Sequence, residues 1–239
     1  MNLRALRFLL VDEVNSWGAR RRARRARWLR QAFPDLAEMS VVDLGGRLDD
    51  WRRAPVRPRH VHVITLEPAP AEVPDWAEVE QADVCELPAH IAVRRYDLVF
   101  SDSVIEHLGG HERRLRFAEN VHALARAHWI QTPYRYFPIE PHWAAPGLQF
   151  LPLPARIAVA RHWPPAALSQ PDRADPAGAV RWTELLGLTQ MRDYFPRSAI
   201  RVERLAGLPK SLIAVRGGVP APRPAGAPVP ARRPATSHW

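Results

Sequence analysis

The sequence predicts an α/β fold: an open sheet of seven strands, mostly parallel, that ends in a C-terminal antiparallel hairpin. Three observations carry this expectation. Short runs rich in Val, Ile and Leu, of the kind a strand buried on both faces shows, recur between residues 41 and 132 and alternate with helical or irregular stretches. The first run, Val41-Val42-Asp43-Leu44, stops abruptly on Gly45-Gly46, and such a turn after the first strand is where open α/β sheets commonly bind cofactors. The last two runs, 199–205 and 211–215, are too close in sequence for a parallel return, which needs roughly a dozen residues or more, so they must pair antiparallel.

The chain of 239 residues is long enough for one sizeable core. Its 25 prolines are about twice the usual share, which predicts ordered loops or a disordered tail. The net charge of +9 is concentrated at the ends: residues 1–30 hold nine Arg against Asp12 and Glu13, and 217–239 add Arg223, Arg232 and Arg233. A basic end suits nucleic acid or an anionic membrane surface. With 33 Arg to one Lys, codon bias explains the charge more simply, and a nucleic-acid partner is not expected. The single cysteine, Cys85, excludes an intrachain disulfide framework and makes a reducing compartment the default. Phe8-Leu9-Leu10-Val11 is too short for a membrane span and meets Asp12-Glu13 at once, so a cytoplasmic protein is expected.

In chain order, Ala19, Ala23, Ala26, Leu29 and Phe33 recur at helical spacing, which predicts a helix over 18–36, packed on the sheet to cover a ligand site, its arginines solvated. After the first strand, 47–59 reads as irregular, with Trp51, Pro55 and Pro58. The second strand, 60–67, ends on Glu67, 22 residues past Gly45, where a carboxylate accepts hydrogen bonds from a ribose diol. A short third strand over 76–81 leads to Asp83 and Val84, a carboxylate and an apolar wall suited to adenine. The fourth strand, 96–102, opens onto Ser101, Asp102 and Ser103 and is followed by a helix over 111–125. A fifth strand covers 127–132. The loop behind it, 133–143, mixes Tyr134, Arg135, Tyr136, Glu140 and His142 with prolines and suits a pocket lining, while Phe137 and Trp143 suit the bottom of a core. Helices are expected over 154–163 and 179–188, a loop over 164–178, and a disordered Pro/Ala/Arg-rich tail over 217–239.

Strand and helix units alternating five times, a glycine turn after strand one, acids after strands two and three and a closing hairpin resemble the Rossmann-like class I S-adenosylmethionine-dependent methyltransferases over residues 40–215. Val41–Gly46, Ala82–Leu87 and especially Asp97-Leu98-Val99-Phe100-Ser101-Asp102-Ser103-Val104-Ile105-Glu106-His107-Leu108 look like the type 11 group. The family's turn runs Asp-x-Gly-x-Gly; here Gly46 comes one place early and Arg47 holds the second glycine position. The resemblance implies S-adenosyl-L-methionine as cofactor, with its methionine end on Asp43, Gly45 and Gly46. Its ribose would meet Glu67, its adenine Asp83 and Val84, and its amine and sulfonium side Ser101 with Asp102 and Ser103. It implies a methyltransferase domain over 37–216, between the Arg-rich helical segment over 1–36 and the tail.

Methyl transfer from a sulfonium to a hydroxyl of high pKa needs alignment and a base. His107 and His142 are the candidates, since imidazole titrates near neutrality. Tyr134, Arg135, Tyr136, Glu140 and His142 are the candidate contacts to a small-molecule methyl acceptor such as a sugar, lipid or secondary metabolite. With no paired CxxC and no HExxH, no metal site is expected. Two other readings stay open: a nucleotide-cofactor oxidoreductase, since Glu67 would serve NAD equally well, and an RNA-directed or non-catalytic binding protein using the arginines at 20–30.

Overall fold

The computed structural model describes residues 17–163 and 175–218. The first sixteen residues, part of the loop expected at 164–178 and nearly all of the expected disordered tail lie outside the described residues. The elements are α1 (Trp17–Ala32), β1 (Ser40–Leu44), α2 (Leu48–Arg52), β2 (His60–Thr65), β3 (Ala77–Gln81), α3 (Ala89–Ala92), β4 (Leu98–Asp102), a 3-10 turn (Ile105–His107), α4 (His111–Leu124) and β5 (Ala127–Pro133). The small strands β6 (Ile139–Glu140) and β7 (Ala145–Pro146) follow, then a second 3-10 turn (Leu148–Phe150), α5 (Leu153–His162), α6 (Pro176–Trp182), α7 (Leu188–Tyr194), β8 (Ala199–Leu205) and β9 (Leu208–Arg216).

Seven strands form one sheet in the order β3-β2-β1-β4-β5-β9-β8. The first five are parallel; β9 runs antiparallel to both β5 and β8. The chain winds outward from β1 to β3 and then returns to add β4 on the other side of β1. The strand order therefore reverses between β1 and β4, and a crevice opens there beyond the carboxyl ends of the strands.

Alternation along each strand divides the interior in two. Val42, Leu44, Val99 and Ile130 face a core closed by Phe117, Val121 and Leu124 of α4 and by Met191, Tyr194 and Phe195 at α7. Val41, Leu98 and Trp129 face a second core closed by Leu29 and Phe33 at the end of α1 and by Trp51 of α2. The segment after β5 builds a satellite cluster from Trp143, Ala145, Leu148, Ala160 and Val180.

The seven-stranded architecture expected from sequence is present, and several elements differ in detail. The stretch 47–59 is not wholly irregular. Leu48 and Trp51, three residues apart, both point into the core, and Asp49 and Asp50 stand in the first turn, where carboxylates complement the helix dipole. Strand and helix do not alternate throughout: 66–76 joins β2 to β3 with no helix and carries Pro68, Pro70 and Pro74. Instead of one helix over 179–188 there are two, α6 and α7. The chain between them lies extended enough for Arg135 N–H to bond Leu186 O at 3.0 Å. The closing hairpin turns at Ala206-Gly207, earlier than expected, and Pro209 is absorbed at a register shift in β8 and β9. Among the described residues no helix is long and apolar enough to cross a membrane.

Candidate functional site

The carboxyl end of β1 lies at the switch point. Gly45 there has φ +83°, a backbone that L side chains rarely adopt, and a Cβ at Gly45 would run into Val104. A Cβ at Gly46 would overlap the Asp43 carboxylate. Both glycines are thus demanded by the protein's own packing, in addition to any ligand. Asp43 is buried, and its Oδ2 accepts a 2.7 Å hydrogen bond from Trp51 Nε1. Its Oδ1 has no partner among the described residues. Burial raises the Asp43 pKa from 3.8 to about 8, because removing water disfavours the carboxylate.

Asp43 and Gly46 open onto a cavity of about 770 Å³. Asp102, Gln131 and Trp129 line it from β4 and β5, and Arg25, Ala26 and Leu29 roof it from α1. The first helix therefore covers a ligand-sized space, although three of its arginines are not simply solvated. Arg21 lies 3.6 Å from the buried Glu203, Arg25 lies 3.8 Å from Asp102, and Arg24 stacks over Trp28 at 4.5 Å.

The other expected cofactor residues are distributed along the same edge, and not all of them meet in the cavity. Asp102 lines it and accepts from Gln131 Nε2 and Ser103 Oγ. Ser101 is buried, and its hydroxyl donates to Leu44 O at 2.8 Å, joining β4 to β1. Glu67 is outside the cavity lining, paired with Arg47 at 2.7 Å. Both partners are well exposed, so the pair is worth less than about 1 kcal/mol and a competing diol can displace it. Asp83, also outside the lining, accepts from Arg113 at 2.6 Å and from Cys85 N–H at 2.9 Å. Partial burial raises its pKa, and these hydrogen bonds outweigh that and hold it below the usual carboxylate range. Val84 is buried in the α4-side core.

A second polar group stands beyond β4 and β5. Glu106 is fully buried; its Oε2 accepts from Thr132 Oγ1 at 2.9 Å. Burial raises its pKa to about 7, against the nearby His142, which lowers it. His142 Nδ1 lies 2.7 Å from Glu140 Oε1, and its Nε2 lies 3.9 Å from Glu106 Oε1. Burial lowers the His142 pKa, but the Glu140 hydrogen bond and the two carboxylate charges prevail and raise it. The His107 and His142 rings meet edge to face, 4.6 Å between centroids. The two histidines singled out in sequence, 35 residues apart, therefore come together.

Of the expected acceptor contacts, Arg135 and Glu140 line a smaller cavity of about 370 Å³ with Leu148, Arg156 and Glu184. Glu140 also anchors its own loop, since Oε2 accepts from Trp143 N–H at 2.9 Å. Tyr136 is exposed and stacks on Phe150, with Tyr134 edge-on to it at 5.5 Å. Phe137 and Trp143 are buried, as expected of a core floor.

No family model matches the chain, and no curated protein sequence does. Among solved structures, an S-adenosylmethionine-dependent methyltransferase from Mesorhizobium loti aligns with a TM-score of 0.50 at 18% identity, over 81% of this chain and 96% of that one. A protein from Listeria monocytogenes named for the same activity aligns with a TM-score of 0.50 at 12% identity, over 81% and 98%. A Bordetella parapertussis protein, named only as a possible exported protein, gives 0.50 at 14%, over 90% and 79%. The chain shares their fold. That fold is the seven-stranded, mostly parallel Rossmann-like sheet with a C-terminal antiparallel hairpin.

Four participants escaped the sequence reading. Trp51 fixes Asp43, Gln131 fixes Asp102, Thr132 fixes Glu106, and Thr183 contacts His107 Nδ1 at 3.2 Å. Glu106 itself stood in the quoted stretch next to His107 and carried a usable signal, a carboxylate in a segment that otherwise buries Ile105 and Leu108. Thr183, 76 residues from His107, carried none.

Proposed function

We propose that the protein is an S-adenosylmethionine-dependent methyltransferase that acts on an oxygen of a small-molecule acceptor. One observation carries the reading: the left-handed glycine turn at the switch point, where the buried Asp43, with one oxygen unpartnered among the described residues, opens onto the helix-roofed cavity. Its volume lies within the roughly 300–1,000 Å³ of small-molecule sites. Asp102 provides a carboxylate and Asp43 a carboxyl that a cofactor ammonium beside it would bring to its ionised form, Arg25 a cation for a carboxylate, and Leu29 and Trp51 an apolar wall. These groups fit the zwitterionic methionine end of the cofactor. Glu67 takes the ribose once Arg47 releases it, and Asp83 and Val84 the adenine. Ser101 and Ser103 hold the β4 end in place beside it. The stretch 97–108 supports a place near the type 11 group, with 37–216 as the catalytic domain and 1–36 as its cover.

The cofactor, when bound, supplies an electrophilic methyl on sulfur. This chain's part is to align the acceptor and to accept its proton. The cluster of Glu106, His107 and His142 meets the second need, with Tyr134, Arg135, Tyr136 and Glu140 on the acceptor side. Three of the seven α1 arginines, Arg21, Arg25 and Arg24, contact Glu203, Asp102 and Trp28, so the basic face is in part committed within the fold.

Calorimetric titration with S-adenosylmethionine and, separately, with NAD tests the reading. The expected outcome is saturable binding of the first alone, weakened about tenfold or more in Asp43→Asn, or about 1.4 kcal/mol. Asparagine keeps an acceptor for Trp51, so the fold is spared. Binding of NAD instead, or unchanged affinity in both Asp43→Asn and Glu67→Gln, overturns it.

A further inference from the structure

The hydrogen bonds around His107 and His142 fix more than their positions. Thr183 Oγ1 donates its only proton to Ala179 O at 2.8 Å, so in its 3.2 Å contact with His107 it can only accept. His107 is therefore the Nδ1–H tautomer, and Nε2 carries the lone pair. His142 is oriented in the same way: Nδ1–H donates to Glu140 Oε1, and Nε2 is turned toward Glu106. Glu106 contributes the third element. Its Oε2 is held by Thr132, while its fully buried Oε1 accepts no hydrogen bond among the described residues. One ligand atom from each of Glu106, His107 and His142 lies within 4.8 Å of the other two.

We propose that Glu106, His107 and His142 form a two-histidine, one-carboxylate centre for a divalent first-row transition ion. Nitrogen and carboxylate donors in this number suit Zn²⁺, Mn²⁺, Co²⁺ or Fe²⁺ and leave coordination positions open. The surroundings are those of a metal site: each histidine gives its other ring N–H to an oxygen, and the carboxylate's second oxygen is hydrogen-bonded. An ion here also answers the cost of the unmatched buried oxygen of Glu106. In the other His/carboxylate cluster among the described residues, His62 with Glu78 and Glu80, both carboxylates are already bonded by neighbouring side chains. Arg94 bonds both Glu78 and His62 Nδ1, and His90 bonds Glu80. The absence of a metal motif in sequence is consistent with this, because the three ligands come from two segments 35 residues apart.

The role of the ion rests on the methyltransferase reading: bound to the acceptor's oxygen, it would lower that hydroxyl's pKa so that the proton passes to solvent water instead of to an imidazole, and the oxygen would bond the methyl carbon as the carbon–sulfur bond breaks. Binding of the ion rests on that reading in no way, so it is tested alone. The full chain, stripped with chelator and dialysed, is titrated with Co²⁺ and with Mn²⁺, without cofactor or acceptor. Stoichiometry is read by calorimetry and ligand class by the visible spectrum of Co²⁺. The expected result is one equivalent bound, with affinity reduced about tenfold or more in Glu106→Gln and in the exposed-site variant His107→Gln, and unchanged in Glu80→Gln. No saturable binding, equal binding in both ligand variants, or loss in Glu80→Gln overturns it. The cluster would then be a protonated His142 held between Glu106 and Glu140. S-adenosylmethionine affinity, measured on the same samples, reports separately on the function proposed above.

Discussion

The turn at the end of β1 and the cluster beyond β4 each hold a buried carboxylate close to the carboxyl edge of the sheet, yet they are built in opposite ways. The turn is local. Asp43, Gly45, Gly46 and Trp51 fall within nine residues, and each one's place is set by its neighbours: the carboxylate fills the space a side chain at Gly46 would need, and Trp51 holds the carboxylate. The cluster is assembled from four segments, through Glu106 and His107, Thr132, Glu140 and His142, and Thr183. A local site is rigid because backbone sterics leave it no alternative. A composite one depends on the packing of the whole; each site buries one carboxylate oxygen, Asp43 Oδ1 or Glu106 Oε1, with no hydrogen-bond partner among the described residues.

The contrast is broken most severely at the turn. Gly46→Leu forces a side chain into the Asp43 carboxylate and is expected to lower stability by about 2–3 kcal/mol in urea unfolding. His107→Gln, at an exposed position of the cluster, should stay within about 0.5 kcal/mol of wild type. If both variants are equally stable, the turn owes nothing to the Asp43 packing.

A finer probe is pH. With Asp43 raised to about 8 in the folded chain and near 4 unfolded, the native state binds the extra proton between those values. The stabilising effect of that proton is complete below about pH 4 and is lost as pH rises toward 8. Wild type should therefore lose stability relative to Asp43→Asn over that window, by at most about 1.4 kcal/mol per unit. Parallel stability curves for the two proteins would show that the carboxyl is ionised in the fold. The smallest effect is expected at the cavity roof, where Arg25→Ala removes a 3.8 Å pair with Asp102 and should change the unfolding free energy by less than about 1 kcal/mol. A larger loss would mean that α1 holds the cavity closed through that pair.

Much of the fold was legible because strands buried on both faces must be apolar and short, and the glycine pair after Leu44 can only be a turn. The helices were less so. α2 was hidden because its five residues are too few to display a period, and the break between α6 and α7 was hidden because Leu185 and Leu186 are apolar in either state. Of the expected cofactor residues, Asp43, Gly46 and Asp102 meet in one cavity, whereas Glu67 and Asp83 turn to Arg47 and Arg113. Sequence places a carboxylate at a strand end and says nothing of which arginine arrives beside it.

By itself the chain determined its α/β, mostly parallel sheet class, its closing hairpin and the turn after β1, since these follow from side-chain periodicity, connection length and the steric limits of the backbone. Only the tertiary structure decided which residues of α1 line the cavity, that Trp51 buries against Asp43, and that His107, His142 and Glu106 converge. Those are contacts between residues whose separation in sequence carries no information about distance. They are settled by how two cores pack on the faces of one twisted sheet.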